Sequence, residues 1–589
     1  MVLALTDWII IIGFFTATLV IGLLNSKRAG QSANEYFLSG RSMPWWLLGI
    51  SMVATTFSAD TPNLVTDIVR KNGVSGNWVW WAFLLTGMLT VFVYSKLWRR
   101  SGVMTDLEFY ELRYGGKSAA FLRGFRAIYL GVFFNIVIMA SVSLAAIKIG
   151  GVLMGLTPVQ TLLIATIVTV VYSSLGGLRS VLITDFFQFL FAMVGSVAAA
   201  IYLIEQPMIG GLNHLFEQPI VNSKLSFLPD FSDSTTLIPL LILPLAVQWW
   251  SVWYPGAEPG GGGYIAQRML SAKDEKNALT ATLVFNVAHY ALRPWPWILI
   301  ALASLIVFPD LDSLQKTFPH IPADKINDDL AYPAMLTFLP TGLLGILIAS
   351  LVAAYMSTIS THLNWGSSYI VHDFYKRFVD PNASEKKLVA IGRLSTLVLA
   401  VISALIALLL SNALQAFNIL LQIGAGTGLI FILRWFWWRI NTYTEITGMI
   451  MSFLVAIYFE LVHEHVFSPI EGHWRLLFGV AVTTLSWIVV TLLTQPESNE
   501  ILKSFYTKVR PSSIGWKPVL IQNPDLTEEK GQLPMEIMMM VSGSITVYGV
   551  LFTLGFWLYG NLVPAIIAGI LAAIGCWILV RNWRKLKFF

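Results

Sequence analysis

The chain has 589 residues, 56% of them hydrophobic and only 12% charged, with a formal net charge of +5. Soluble domains carry roughly 25% charged residues, so the composition excludes an ordinary soluble domain; the apolar runs are continuous rather than alternating, which excludes a transmembrane barrel. A single cysteine, Cys576, excludes an intrachain disulfide and a cysteine metal cluster.

A hydrocarbon core about 30 Å thick needs about 20 apolar residues per helical span. Reading runs of that length between polar breaks gives fifteen expected spans: 7–24, 45–70, 76–97, 121–150, 158–177, 183–205, 235–266, 276–308, 334–371, 388–411, 415–434, 442–461, 474–494, 537–558 and 561–581. The first run carries Asp7 and no preceding Lys or Arg, so it reads as a retained span and not a signal peptide. With the N-terminus outside, most of the 38 Lys and Arg residues fall in loops assigned to the cytoplasm, the stretch Lys96 to Arg126 above all. Arg581, Arg584, Lys585 and Lys587 then put the C-terminus inside. The basic excess is therefore a topology signal, and no nucleic-acid partner is expected. Residues 495–536 form a long cytoplasmic connection with no Walker-type phosphate loop, which argues against a primary pump.

The second span is interrupted. Its stretch Ala54-Thr55-Thr56-Phe57-Ser58-Ala59-Asp60-Thr61-Pro62-Asn63 is polar, and Pro62 removes a donor and clashes with the preceding turn. Freed carbonyls around Ser58 are hard oxygen ligands suited to a small cation. Non-helical backbone survives inside lipid only where it lines a cavity or is buried in protein. The seventh span carries Pro255-Gly256-Ala257-Glu258-Pro259 followed by Gly260 to Gly263, read either as a loop at its inner end or as a second discontinuous helix. In the second case spans 2–6 and 7–11 each open with a broken helix, the pattern of inverted repeats around a mid-membrane site. In the eighth span His289 and Arg293 stand at i, i+4, with Pro294 and Pro296 loosening the helix.

The ninth span reads Ala353-Ala354-Tyr355-Met356-Ser357-Thr358-Ile359-Ser360-Thr361. Ser357, Ser360 and Thr361 lie at i, i+3 and i+4 and share a face, and Thr358 adds a hydroxyl about 100° round. Such residues often only bond the preceding turn or join helices; four in five positions behind a small-residue stripe favours a cation site.

The run 353–358 with Leu363-Asn364, Ser367-Ser368 and Asp373, the piece Gly176-Gly177-Leu178-Arg179 before Asp185, the run Gln267 to Lys273, and Gln422 near Gly424 together resemble the sodium:solute symporter family over about residues 7 to 460. The resemblance implies an all-α polytopic membrane protein with the leucine-transporter-like 5+5 inverted repeat, the fold the handling of broken helices is usually illustrated with. It divides the chain into an N-terminal extra helix and inner loop (1–44), a first repeat (45–205), a second repeat (206–440) and C-terminal extra helices (441–589). It also implies a sodium site made by the carbonyls of Ala54, Phe57 and Ala354 and the hydroxyls of Ser357 and Thr358. A further sodium site in some members corresponds here to Asp185, Ser357, Ser360 and Thr361, while Asp185 read alone could equally cap the sixth span.

Asp60 sits near mid-membrane, where an ionisable group is costly and functional by default; its alternative role is a salt bridge to Arg293. Matching positions to sugar- and sialic-acid-transporting members gives a candidate solute pocket of Thr56, Ser58, Asp60, Thr61, Trp80, His289, Arg293 and Gln422. Asn135 stands where sialic acid members have an arginine, and Trp249, Trp250, Trp253 and Tyr254 are pocket walls or interfacial anchors. The expected function is sodium-coupled import of a small polar solute (a sugar, amino acid or carboxylate) across the cell membrane. No organic cofactor, enzyme activity or obligate protein partner is expected; proton coupling and a flux-free sensor are the competing readings.

Overall fold

The computed structural model describes residues 3–251, 258–319, 321, 326–410, 424, 426–528 and 532–586. Ten helices among these are long and apolar enough to cross a membrane. They account for the first, third, fourth, sixth, eighth, ninth, tenth and the last three expected spans. The second, fifth, seventh and twelfth spans are represented by the shorter apolar helices Trp45–Thr56, Pro158–Val171, Ser234–Ala246 and Thr442–Ile457. Most of the eleventh, with Gln422, lies outside the described residues. No β-strand forms among the described residues; a single bridge joins Met43 and Ala272.

The third, eighth and ninth spans are largely enclosed, whereas the first, thirteenth and fifteenth expose most of their apolar surface. Side chains such as Ile9, Ile12, Leu485, Ile566 and Ile570 point outward. An exposed belt of that size is intolerable in water and natural against lipid. The interior is built around the broken second span: its first half packs against the start of the eighth span, the 158–204 helix pair and the ninth span, and its second half against the far part of the eighth. Spans 14 and 15 form a hairpin, and span 14 lies on the third.

Several boundaries differ from expectation for identifiable reasons. The expected ninth span begins at 334, but Ala331–Leu336 is a separate short helix and the membrane helix runs Leu343–Val379, because Pro340 and Gly342 interrupt it. Its new start is capped by Asp7 of the first span, whose Oδ1 accepts from the Gly342 and Gly345 backbone N–H groups at 2.7 and 2.9 Å; a carboxylate at a helix N-terminus satisfies otherwise orphaned donors. The fifth and sixth spans are not separated by a loop. They meet at a kink where Gly177 has φ 57° and ψ −164°, a conformation essentially restricted to glycine. A Cβ there would also lie 2.7 Å from the Tyr36 carbonyl. Gly177→Ala is accordingly expected to cost about 1–3 kcal/mol, read as a lower thermal midpoint of the purified protein.

The eighth span, Glu275–Val307, contains a wide turn at Ala288–Leu292. Pro294 and Pro296 lack N–H groups and crowd the carbonyls one turn back, and the Arg293 N–H reaches Ala288 O at 3.2 Å instead. Wide turns of this kind recur at functional sites; here it carries His289 and Arg293.

Candidate functional site

The helical part of the second span ends at Thr56 and resumes at Thr61. Phe57 leaves the helix with φ −92° and ψ 83°. Pro62 falls in the first turn of the second half, where its missing N–H costs nothing. The gap is stitched by the Thr61 N–H to Ser58 O at 3.1 Å and the Ser58 N–H to Thr61 Oγ1 at 3.2 Å. Ala54, Phe57 and Ala354 are all buried. Thr358 of the ninth span donates its hydroxyl to Thr55 O at 2.8 Å, which brings the hydroxyl-bearing helix against the open end of the broken one. A hydroxyl that donates its proton keeps lone pairs for a cation.

Ser357 donates to Asp185 Oδ1 at 2.7 Å, and Ser51 donates to the other carboxylate oxygen. Asp185 lies well inside the sixth span and is fully buried, so it does not cap that helix. Its second partner is a residue the sequence did not single out: Arg268, itself fully buried, with a terminal nitrogen 3.5 Å from Asp185 Oδ2. The same guanidinium donates to Ser51 Oγ at 2.9 Å, Thr55 Oγ1 at 3.0 Å, Thr361 Oγ1 at 2.8 Å and Tyr264 O at 3.3 Å. Ser360 turns its hydroxyl back to Ser357 O at 3.1 Å. Of the four residues proposed for a second ion, Asp185 and Ser357 touch directly, and Thr361 joins them through Arg268.

On the other side of Thr358 a cavity of about 160 Å³ opens. Seven of the eight expected solute residues line it: Thr56, Ser58, Asp60, Thr61, Trp80, His289 and Arg293; the eighth, Gln422, lies outside the described residues, as do Trp253 and Tyr254. Among the described residues no ion pair joins Asp60 to Arg293, so the salt-bridge alternative for Asp60 does not hold. Arg293 is otherwise engaged. It donates to Thr56 Oγ1 at 3.2 Å and to His289 Nε2 at 3.2 Å, and stacks over Trp297, while its Nε has no partner. Because guanidinium can only donate, His289 Nε2 must accept, and its Nδ1–H therefore donates to Thr56 Oγ1 at 2.9 Å. One wall is aromatic, with Trp80 stacked on Tyr290 and its indole N–H held by Asn77 Oδ1 at 2.9 Å.

Sequence reasoning missed Thr55, Ser141, Tyr290 and His362 in this lining. Asn135 is not in it: its Oδ1 lies 2.6 Å from His362 Nδ1 and its Nδ2 bonds His362 O, so it positions a lining residue. Nor do Trp249 and Trp250 line the cavity; the Trp249 carbonyl accepts from Thr86. A signal for His362 did exist, since it continues the ninth-span face at i+4 from Thr358.

The sequence profile of the sodium:solute symporter family matches residues 36–452. The sodium/glucose cotransporter of Vibrio parahaemolyticus is 25% identical over 513 residues, covering 84% of this chain and 92% of that protein. The sodium/sialic acid symporter of Proteus mirabilis is 26% identical over 472 residues, covering 77% and 88%. Among solved structures, the substrate-bound outward-open state of a Na⁺-coupled sialic acid symporter aligns with TM-score 0.68 at 22% identity, covering 84% of this chain and 99% of that one.

Proposed function

The chain belongs to the sodium:solute symporter family, and from that premise we propose that it is a sodium-coupled secondary symporter importing a small polar organic solute by alternating access. One observation carries the reading: Thr358 bonds the broken end of the second span at Thr55 O and also lines the cavity, so a cation held there and a solute in the cavity share a wall. Ala54, Phe57, Ala354, Ser357 and Thr358 are the ligands of the coupling ion. Binding of either partner orders the same helix break, and shared ordering is how two sites become coupled.

We assign one sodium ion to this site. At Asp185 the position of a second positive charge is held by the Arg268 guanidinium, so a further ion needs that side chain to withdraw. The breaks in the second span and at Glu258 to Gly263, where Gly260 and Gly261 adopt positive φ, support the two-repeat organisation, with the N-terminus outside and the C-terminus in the cytoplasm. The sugar and sialic acid specificities of the relatives point to hydroxylated solutes.

Purified protein in liposomes tests the proposal. An inward sodium gradient is expected to drive uptake that an inward proton gradient of equal size does not; uptake driven equally by protons would replace sodium with a proton as the coupling ion. Asp60→Asn is expected to weaken solute binding about tenfold or more, since hydrogen bonds to charged groups contribute about 1.5–3 kcal/mol. An unchanged affinity in a sodium-saturated binding assay would remove Asp60 from the pocket.

A further inference from the structure

A second chamber of about 60 Å³ adjoins the main cavity and ends at the buried carboxylate of Glu258. The two spaces share Thr56, Phe83, His289 and Tyr290, and the His289–Thr56 hydrogen bond of 2.9 Å forms part of the partition between them. Beyond it the wall is polar, made by Thr86, Thr90, Thr282 and Asn286.

The direction of the hydrogen bonds gives this wall its chemistry. Thr90 donates its hydroxyl to Thr86 O at 2.9 Å and Thr282 donates to Ala278 O at 2.9 Å; Thr86 donates to Trp249 O. Each O–H proton is thereby used, leaving oxygen lone pairs as acceptors. Asn286 donates Nδ2 to Thr282 O at 2.8 Å, which fixes the way its amide points. Its Oδ1 has no partner although the residue is fully buried. A buried acceptor without a donor costs about 1–3 kcal/mol, a penalty that a passing donor would relieve. With the Glu258 carboxylate at the far end, the chamber offers acceptors and calls for donors.

We propose that this chamber is a second solute subsite, entered when His289 releases Thr56, and that it takes uncharged polyhydroxylated solutes and turns carboxylates away. A hydroxyl both donates and accepts, so it satisfies Asn286 Oδ1 and the threonine oxygens. A carboxylate brings no donor and meets the Glu258 charge in a poorly solvated space, where like charges repel strongly. A net cation is disfavoured one step earlier, because Arg293 faces the main cavity without an ion-pair partner. The inference rests on the symport reading above.

The test uses full-length protein in liposomes with D-glucose, D-mannitol and myo-inositol as neutral probes and D-gluconate as the carboxylate of matched size. Sodium-driven uptake of at least one neutral probe and none of D-gluconate is expected. Asn286→Leu and the near-isosteric Thr282→Val are each expected to lower the initial uptake rate at least tenfold while changing equilibrium binding of that probe, with sodium present, by less than threefold. Uptake of D-gluconate at the neutral-probe rate, no uptake or binding of any neutral probe, wild-type transport by both variants, or parallel loss of binding and transport would each overturn the proposal. Sodium-driven uptake of D-gluconate alone would overturn it and leave symport standing. Neutral-probe uptake that ignores sodium yet falls tenfold in Asn286→Leu would keep the subsite and overturn symport.

Discussion

Thr358→Val is expected to raise the sodium concentration that half-saturates uptake at least tenfold, while the protein still inserts and folds. Valine keeps the branched shape in a buried position and removes only the hydroxyl. That hydroxyl reaches Thr55 O at 2.8 Å and is one of five proposed ligands to the ion. A hydrogen bond or ligand contact to a charged group is worth about 1.5–3 kcal/mol, and about 1.4 kcal/mol is one decade in affinity, so a shift of tenfold to somewhat over a hundredfold follows. Uptake rate against sodium concentration measures it, and Thr358→Ser should lie near wild type because it retains the oxygen. If Thr358→Val lowers thermal stability but leaves the sodium curve in place, the hydroxyl only joins two helices and the ion binds elsewhere. The consequence for transport is large. One charge crossing 100 mV releases about 2.3 kcal/mol, and a tenfold gradient adds about 1.4 kcal/mol. A single ion thus supports roughly a few hundred-fold accumulation of a neutral solute, all of which depends on the ion being bound when the solute is.

The break in the second span was legible in the sequence because its cause is local: Pro62 and the surrounding hydroxyls are at odds with an apolar helix whatever packs around them. His289 and Arg293 were legible as a pair for the same reason, although their shared orientation depends on a wide turn that the two following prolines produce. Arg268 was not legible. Its partners Ser51, Thr55, Asp185 and Thr361 come from three separate spans, and nothing within a few residues of Arg268 signals that its charge will be buried. The Glu258 chamber escaped for a different reason: threonines that bond the preceding turn look structural, and only the enclosure of their free lone pairs beside Asn286 makes them a lining. The fifth and sixth spans were separated on paper because a loop was assumed where Gly177 alone turns the chain.

Arg268→Gln is expected to be the most destabilising of the substitutions considered, costing about 3–5 kcal/mol, the usual consequence of removing one member of a buried ion pair. The cost is that of the partner left behind: Asp185 would keep Ser51 and Ser357 as donors but lose the only positive charge that contacts it among the described residues. Asp185→Asn added to Arg268→Gln should therefore recover half or more of the loss, because two neutral amides can be satisfied by the same hydroxyls, and the coupling energy from the double-mutant cycle measures the pair directly. The single variant makes a second, sharper claim. With the guanidinium gone, a buried carboxylate ringed by Ser51, Ser357 and Thr361 is a cation site, so sodium should raise the thermal midpoint of Arg268→Gln more than it raises that of wild type. Once such a site is saturable, each further decade of sodium adds about 1.4 kcal/mol to the folded state. Equal sodium responses in the two proteins would mean that Arg268 does not occupy the place of an ion. Wild-type stability of Arg268→Gln in sodium-free buffer would mean that Asp185 is not the charge it balances.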